Sequence, residues 1–173
     1  MTVADAQRTV ETVWRIESPR LIAGLARIVR DVAEDADFEA RGRRRTVRVT
    51  AMCECTATGA PDLLRSAVEN IVRNAVRHTR EDTAVEVAMR AGAPDRVVIA
   101  VRDHGSGVPD ELLPHIFQPF YRLGAARDRH TGGVGLGLTI AHRTLKLHDG
   151  TVRAANVAGG GLVVELTLPA LQI

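Results

Sequence analysis

The apolar residues follow a helical period in some stretches of the chain and alternate with polar residues in others. Helical spacing predicts helices over residues 3–17, from Leu21 to about residue 36, from Asp62 to about Thr79, near 110–116, and from about Gly137 to His148. Alternation predicts strands over Thr46–Ala51, Val85–Arg90, Arg96–Asp103, Thr151–Asn156 and Leu162–Leu168. Because these elements do not form repeated strand-helix units, they predict a layered structure of mixed helix and sheet.

The segments between these elements contain residues that interrupt regular structure. Pro19 separates the first two helices, because proline blocks helix continuation through the residue before it. A polar, arginine-rich turn is predicted at 41–45, and further turns at 91–95 and 158–161. Residues 121–134 are polar and have no periodicity, which predicts a mobile loop.

The composition is that of an ordinary single domain. The chain has 173 residues, 45% of them hydrophobic and 25% charged, which is enough for a real core. A formal net charge of +2 and an aromatic content of 3% argue against nucleic-acid binding by charge or by base stacking. No apolar run is long enough to span a membrane and Met1 leads into polar sequence, so we expect neither a transmembrane helix nor a signal peptide within this chain.

The two cysteines of the chain, Cys53 and Cys55, stand two residues apart in a segment predicted to be a strand. A disulfide framework would need more cysteines, and a zinc site would need more ligands. We therefore expect two reduced thiols on one face of that strand.

The predicted helix from Asp62 to Thr79 has a broad apolar face and an opposite polar face. At about 100° per residue, Asn70, Asn74 and Arg77 cluster on the polar face. The two asparagines are four residues apart and are therefore neighbours on the helix surface. Two amide oxygens beside a guanidinium could hold a hydrated Mg²⁺ and the phosphates attached to it. The alternative is an ordinary solvated face.

Two glycine-rich segments could bring backbone close to a nucleotide. Asp103 to Gly107 follows an apolar strand, where a carboxylate could accept a hydrogen bond from an exocyclic amine such as that of adenine. Gly132 to Gly137 opens a helix, where exposed N–H groups could cradle phosphate. No Gly-Lys-Ser/Thr follows and no strand precedes it, which excludes a Walker loop and argues against a Rossmann fingerprint. The alternatives are a turn and a flexible hinge.

Between these glycine segments lies Phe117-Gln118-Pro119-Phe120-Tyr121-Arg122. We expect Phe117 and Phe120 to anchor the base of the following loop in the core. Three loop arginines, Arg122, Arg127 and Arg129, could reach phosphates when the loop closes, the alternative being a solvated basic loop.

Together, in this order and spacing, the four features resemble the nucleotide-binding domain of sensor histidine kinases. That domain belongs to the superfamily shared by gyrase, the Hsp90 chaperone and the mismatch-repair ATPase MutL. The matching segments are Glu69 to Ala75 (the N box), Asp103 to Gly107 (the first glycine box), Phe117 to Arg122 (the F box) and Gly132 to Leu138 (the second glycine box). The resemblance covers roughly residues 45–169. It is closest to Cpx-type envelope-stress sensors, through residues 38–40 and 126–128.

The resemblance implies a fold, two cofactors and a set of site residues. The fold is an α/β (α+β) two-layer sandwich of the Bergerat ATP-binding type, with a mixed, mostly antiparallel sheet packed on helices. The cofactors are ATP and Mg²⁺. Asn74 would coordinate the metal, Asn70 would sit beside the phosphates, and Asp103 would bind the adenine amine. Arg122 is the third implied catalytic residue. The other implied nucleotide contacts are Arg77, His78, Gly105, Gly107, Val108, Phe120, Arg127, Arg129, Gly133, Gly135, Leu136, Gly137 and Leu138.

One position separates the subclasses of this superfamily. The ATP hydrolases of the superfamily, and the anti-sigma-factor kinases, carry a glutamate four residues before the asparagine that binds the metal. This glutamate acts as a general base. Here that position is Asn70, and Glu69 lies one residue away, a rotation of about 100° that aims it elsewhere. An amide cannot take a proton, which favours transfer to a nucleophile that is already competent, such as neutral imidazole. Catalysis would then rest on positioning and charge neutralisation.

The predicted function is therefore the ATP-binding catalytic domain of a two-component sensor histidine kinase. No histidine here lies in a His-Glu/Asp-x-x-x-Pro context, so we expect the acceptor on a dimerisation domain outside the chain. Residues 1–18 are predicted to be the end of the second helix of that dimerisation hairpin, and 19–173 the catalytic domain. The alternatives are a stand-alone serine kinase and binding module of the anti-sigma type, and a nucleotide-binding domain with degenerate catalysis.

The same resemblance implies the setting of the domain. The expected partners are its own dimerisation and phosphoacceptor domain and the receiver domain of a response regulator, with no nucleic acid. The parent protein is expected to be a membrane-anchored homodimer, with this chain as a cytoplasmic domain of an inner-membrane protein.

Overall fold

The computed structural model describes residues 22–121 and 135–170, which form a layer of helices packed on a sheet. The strands are β1 (Ile22–Gly24), β2 (Thr46–Ala51), β3 (Thr56–Thr58), β4 (Ala84–Ala91), β5 (Arg96–Arg102), β6 (Thr151–Asn156) and β7 (Leu162–Pro169). The α-helices are α1 (Leu25–Arg41), α2 (Pro61–His78) and α3 (Gly137–Leu147). A short 3₁₀ helix spans Asp110–His115.

The main sheet has five strands in the order β2-β4-β5-β7-β6. The β2–β4 pair is parallel, and the pairs β4–β5, β5–β7 and β6–β7 are antiparallel. The expected two-layer sandwich with a mixed, mostly antiparallel sheet is confirmed. A separate two-stranded sheet pairs β1 with β3.

Alternating burial along the strands explains why one sheet face takes the helices. In β7 the side chains of Leu162, Val164, Leu166 and Leu168 are buried, while the residues between them are half-exposed. Each such side chain contributes about 1.5–3 kcal/mol when fully buried. The helices follow the order of the sheet, because α1 contacts β2 and β4, α2 contacts β4 and β5, and α3 contacts β6 and β7.

The first described helix differs from its predicted bounds at both ends. It begins at Leu25 instead of Leu21 and ends at Arg41 instead of near residue 36. Ile22–Gly24 instead forms β1, which pairs with β3, and neither of these strands was predicted. Strands of three residues are too short to give a periodic signal, so tertiary pairing decides their conformation.

The prediction that the two cysteines lie in a strand is wrong. Strand β2 ends at Ala51 and β3 begins at Thr56, so Cys53 and Cys55 lie in the irregular connection between them. Both are free thiols. Alternating apolar residues continue past Ala51, which is why the sequence pattern overextends the strand.

Helix α2, which carries the asparagine pair, is fixed at both ends. Pro61 stands in the first turn, where its missing N–H is not needed, and Asp62 follows with a charge that suits the positive helix end. At the other end, the Arg45 guanidinium donates to the carbonyls of Val76 (3.0 Å) and Arg77 (3.2 Å). These bonds satisfy carbonyls that have no partner within the helix.

Several predictions fall on residues outside the described ranges. They are the helix over 3–17, the domain division at residue 18, and nearly all of the loop over 121–134. Within the described ranges, no helix is both long enough and apolar enough to cross a membrane.

Candidate functional site

Helix α2 brings the predicted site residues into one row. Asn70, Asn74 and His78 follow one another at intervals of four residues and so lie along one stripe of the helix. At Asn70 this stripe meets the start of α3, since a Cβ added to Gly137 would lie 3.0 Å from Asn70 Oδ1. A side chain at residue 137 would therefore crowd the Asn70 amide.

The orientation of the Asn70 amide follows from its own helix. Its Nδ2 donates to the carbonyl of Ser66 at 2.9 Å. Its Oδ1 is therefore the atom that faces the start of α3. Asn70 thus offers an acceptor, but no base, to whatever occupies the space beyond it.

At its other end, α2 meets the first glycine segment. A Cβ added to Gly105 would collide with the carbonyl oxygen of His78. The backbone N–H of His104 donates to Thr79 Oγ1 at 3.1 Å, and Arg80 Nε donates to the His104 carbonyl at 2.6 Å. These contacts hold the loop after β5 against the end of α2.

Asp103 is a buried carboxylate in this loop, with 4% of its surface exposed. Its Oδ1 accepts hydrogen bonds from the backbone N–H groups of Gly105 (2.8 Å) and Leu162 (3.3 Å). Within the described ranges, no hydrogen bond reaches Oδ2. Because Oδ1 is held by the protein, Oδ2 remains as an acceptor for a ligand.

Strand β7 can approach Asp103 because a glycine precedes it. Gly161 has a φ of +96°, and a Cβ there would collide with the Asp103 carbonyl. The backbone N–H of Asp103 donates to the Leu162 carbonyl at 2.9 Å. Sequence analysis did not identify Gly161 as important for the site.

Asn74 lies between these two anchored ends of α2. It is one helical turn from Asn70, which meets α3, and one turn from His78, whose carbonyl meets Gly105. Its side chain is half-buried. The structure therefore brings together the start of α3, the asparagine stripe and the loop that carries Asp103.

The second glycine segment closes against the F box. Gly135 has a φ of +75°, and a Cβ there would lie 3.0 Å from the Tyr121 carbonyl oxygen. The Phe120 N–H donates to the Gly135 carbonyl at 3.1 Å. Leu136 is half-buried, and Leu138 packs against the core.

The two phenylalanines of the F box behave differently. Phe117 packs against the core, and its carbonyl accepts a hydrogen bond from Thr139 Oγ1 at 3.0 Å. Phe120 is 69% exposed, so the expectation that it anchors the loop in the core is wrong. Its backbone has a φ of +63°, and Tyr121 packs against the core instead.

Asn156 is a structural residue of the site that sequence analysis missed. Its Nδ2 donates to the Val108 carbonyl (2.6 Å) and its Oδ1 accepts from the Val108 N–H (2.9 Å). It also excludes a side chain at Gly107, where a Cβ would lie 2.7 Å from Oδ1. Asn156 therefore clamps the first glycine segment to the end of β6. An open cavity of about 470 Å³ lies beside this clamp.

Glu69 points away from the site, which confirms the prediction from its position on the helix. Its carboxylate lies 3.5 Å from the guanidinium of Arg73. Both side chains line a small cleft with Asp35 and Glu39 of α1. Glu69 is therefore on the side of α2 that faces α1.

Electrostatics at the end of α2 affect His78. Partial burial lowers the pKa of this imidazole below its ordinary value of 6.5, Asp103 opposes the shift, and Arg77 and Arg45 add to it. His78 is therefore neutral at neutral pH. The exposed Arg77 and the Arg45 guanidinium both supply positive charge at this end of the helix.

The lowered pKa of His78 predicts a loss of stability in acid. Protonation is harder in the folded chain than in the unfolded one, so the free energy of unfolding should fall as pH drops below about 6.5. His78→Gln should reduce this decline, and His142, whose pKa burial and Lys146 also lower, should retain part of it. Urea unfolding across this pH range measures the slope. An equal slope in the variant would contradict the assignment.

Some predicted site residues cannot be placed. Arg122, Arg127, Arg129 and Gly133 lie outside the described residues.

Comparison with known proteins identifies the family. Residues 59–172 match the family model for histidine kinase-, DNA gyrase B- and HSP90-like ATPases. The chain belongs to this family. Within these ATPases it is similar over most of its length to sensor histidine kinases.

Two curated relatives show this similarity. The chain is 35% identical to the signal transduction histidine-protein kinase AfsQ2 of Streptomyces coelicolor, over 98% of this chain and 32% of AfsQ2. It is 41% identical to the sensor histidine kinase CpxA of Escherichia coli, over 80% of this chain and 30% of CpxA. The CpxA match agrees with the Cpx-type resemblance noted in the sequence. The chain spans about a third of the length of these relatives.

Solved structures share the ATPase fold. The mycobacterial sensor histidine kinase MprB superposes with a TM-score of 0.76 at 22% identity, over 90% of this chain and all of that one. The nucleotide-free catalytic domain of histidine kinase ThkA gives 0.75 at 22% identity, over 86% and 94%. Full-length ShkA in complex with AMPPNP gives 0.73 at 22% identity, over 98% and 37%. At these identities, the likeness establishes the fold.

Proposed function

We propose that this chain is the ATP-binding catalytic domain of a sensor histidine kinase. It transfers the γ-phosphoryl group of ATP to a histidine on a dimerisation domain outside the chain. The observation that carries the proposal is the buried carboxylate of Asp103, which has one oxygen held by backbone N–H groups and the other left as an acceptor. This carboxylate lies at the end of the helix that carries Asn70 and Asn74.

The purine end of the nucleotide lies at Asp103. Its exocyclic amine donates to Oδ2, and the buried side chain of Val108 offers an apolar contact to the ring. Gly105 and Gly107 keep the loop backbone close, since a side chain at either position would meet another residue. This pairing gives selectivity for adenine, because a ring without the amine would leave a buried carboxylate unpaired.

The phosphate end lies at the start of α3. Among the described residues, no side chain caps this helix, so its first N–H groups suit an anionic ligand. The helix dipole favours negative charge at the same place. Gly135, Leu136 and Gly137 form the backbone of this end, with Gly133, Arg122, Arg127 and Arg129 proposed as further contacts from the preceding loop.

The residues present suit Mg²⁺. This ion prefers oxygen ligands, takes few from the protein, and keeps waters and phosphates as the rest. Asn74 offers one amide oxygen, half-buried and between the two ends of the site. We propose Asn74 as its ligand, with Asn70 beside the phosphates. When bound, Mg²⁺ would neutralise phosphate charge.

The chain's own residues bind and orient the nucleotide without removing a proton. Asn70 cannot act as a base, and Glu69 is paired with Arg73 on the far side of α2. The acceptor must therefore arrive already able to attack, as a neutral imidazole does. This arrangement favours a histidine acceptor over the serine hydroxyl of an anti-sigma-type kinase, which needs a base.

The wider setting is also a proposal. Residues 1–18 belong to the second helix of a dimerisation hairpin, and 19–173 form the catalytic domain. The parent is a membrane-anchored homodimer whose catalytic domain is cytoplasmic, and its next partner is the receiver domain of a response regulator. The names of AfsQ2 and CpxA, both sensor or signal-transduction kinases, support this setting.

A transfer assay tests the proposal. This chain is mixed with the separately prepared dimerisation domain of CpxA and ATP labelled on the γ-phosphate. We expect label on the histidine of that domain, and an unchanged rate with Glu69→Gln, because Glu69 faces α1. Label on a serine of an anti-anti-sigma protein would favour the serine kinase. Nucleotide binding with no transfer would favour a degenerate kinase.

A further inference from the structure

The two thiols of the chain converge in the connection between β2 and β3. Cys53 Sγ and Cys55 Sγ lie 3.6 Å apart, and both side chains are half-exposed. The sequence contains no other cysteine. Neither residue belongs to the ladder register of β2 or β3. Nothing in the proposed kinase chemistry uses this pair.

We propose that Cys53 and Cys55 form a reversible oxidation site, at which a low-molecular-weight disulfide converts the two thiols into an intramolecular disulfide. An S–S bond is about 2.05 Å long, so each sulfur would move by less than about 1 Å. The connection is irregular and both cysteines lie outside the strand ladders, so closing the bond breaks no backbone pair at the cysteines themselves. The proposal is independent of the kinase assignment.

The two sulfurs differ in reactivity. Burial raises the pKa of the Cys55 thiol to about 12, and its hydrogen bond with Cys53 and the charges of Cys53 and Glu54 add to this. The thiolate is the nucleophile in disulfide exchange, so Cys53 is the sulfur that attacks first. Cys55 keeps its proton until the second step.

The exchange balances in two steps. The Cys53 thiolate attacks one sulfur of the small disulfide, forms a mixed disulfide and releases one small thiolate, which takes up the proton that Cys53 lost. Cys55 sulfur then attacks Cys53 Sγ, loses its proton, and releases the second small thiol. The protein loses two hydrogens and two electrons, and the small disulfide becomes two thiols.

The bond should be easy to reduce again. It closes a ring across a single residue, Glu54, and it is accessible to solvent. Strained or exposed disulfides have more oxidising potentials and are readily reversed. This lability is typical of a regulatory pair and not of a structural one.

We expect oxidation at this place to act on the pairing of β1 with β3. The connection leads directly into β3, whose central residue Ala57 is fully buried and pairs with Ala23 of β1. Strand β1 is the first element of the chain that the structure describes. A bond between Cys53 and Cys55 would therefore shift the strand on which β1 is held.

Intact-mass measurement tests the site on the reduced full chain treated with oxidised glutathione. We expect a product that has lost two hydrogens, is monomeric, and returns to the starting mass with dithiothreitol. Cys55→Ser should stop at one glutathione on Cys53. Cys53→Ser should be modified more slowly than Cys55→Ser, because burial and Glu54 still raise the pKa of its remaining thiol.

The location of the effect is tested by hydrogen exchange. Oxidised wild type should change its exchange in 22–24 and 52–58, and the doubly substituted Cys53→Ala, Cys55→Ala chain should not respond to glutathione. Three outcomes for the wild type would overturn the proposal: it stays reduced, it accumulates as a mixed disulfide, or it forms disulfide-linked dimers. So would a disulfide that leaves exchange in 22–24 unchanged.

Discussion

Asp103→Asn is expected to weaken ATP binding by roughly 10- to 100-fold, the effect of losing a hydrogen bond to a buried charge. The substitution keeps the shape of the side chain, and its Oδ1 can still accept from Gly105 and Leu162. The amide that replaces Oδ2 would donate toward the purine amine instead of accepting from it. Discrimination against GTP should fall with the affinity for ATP. Isothermal titration with both nucleotides measures the two effects.

Glu165→Gln is the matched control for this carboxylate. Glu165 lies in the same sheet, but it is half-exposed and pairs with Arg90 at 2.8 Å. Its substitution should leave the affinity for ATP unchanged. If Asp103→Asn folded normally, judged by its urea midpoint, and still bound ATP with wild-type affinity and selectivity, the purine would not lie at Asp103.

Asn74→Ala is expected to abolish the dependence of nucleotide binding on Mg²⁺ and to slow phosphoryl transfer by about 100-fold or more, the typical cost of losing one preorganised charge-stabilising group. Alanine is the better helix former by about 0.5 kcal/mol, so the free energy of unfolding should be unchanged or slightly higher. Binding is measured with and without Mg²⁺, and transfer in the assay with the dimerisation domain. The expected result is thus a functional loss without a structural one.

Arg73→Ala, one residue earlier on the same helix, separates the metal site from a general effect on α2. Arg73 is exposed and pairs with Glu39 and Glu69 on the side that faces α1. Such surface pairs contribute little to stability. This variant should keep both Mg²⁺ dependence and transfer. Equal losses in the two variants would assign the effect to the helix as a whole.

Long periodic elements of this fold could be predicted from the sequence, while short ones could not. The apolar stripe of α2 and the alternation of β7 are signals that one face of each element must be buried. Strands β1 and β3 are three residues long and exist because they pair with each other across more than thirty positions. The local conformational preferences of these residues do not predict a pairing over such a distance, which is why Ile22–Gly24 was assigned to a helix.

The same division applies to the candidate site. Spacing on one helix was enough to place Asn70 beside Asn74 and to turn Glu69 away. Asn156 and Gly161 meet the first glycine segment from a distant part of the chain. Their importance is visible only once β7 pairs with β5. Phe120 was misjudged because its backbone turns at a positive φ, and no composition rule predicts this for phenylalanine.

Helix α2 also fixes the distance between the two ends of the candidate site. Asn70 meets α3 and His78 meets the Asp103 loop. The two are eight positions apart, and a rise of about 1.5 Å per residue makes this span about 12 Å. Backbone geometry therefore fixes the distance between the start of α3 and the Asp103 loop along this helix. Side-chain substitutions at either end would change how tightly that end binds a ligand. An inserted or deleted residue would change the distance along α2 between Asn70 and His78. It would also rotate one of these residues by about 100° relative to the other.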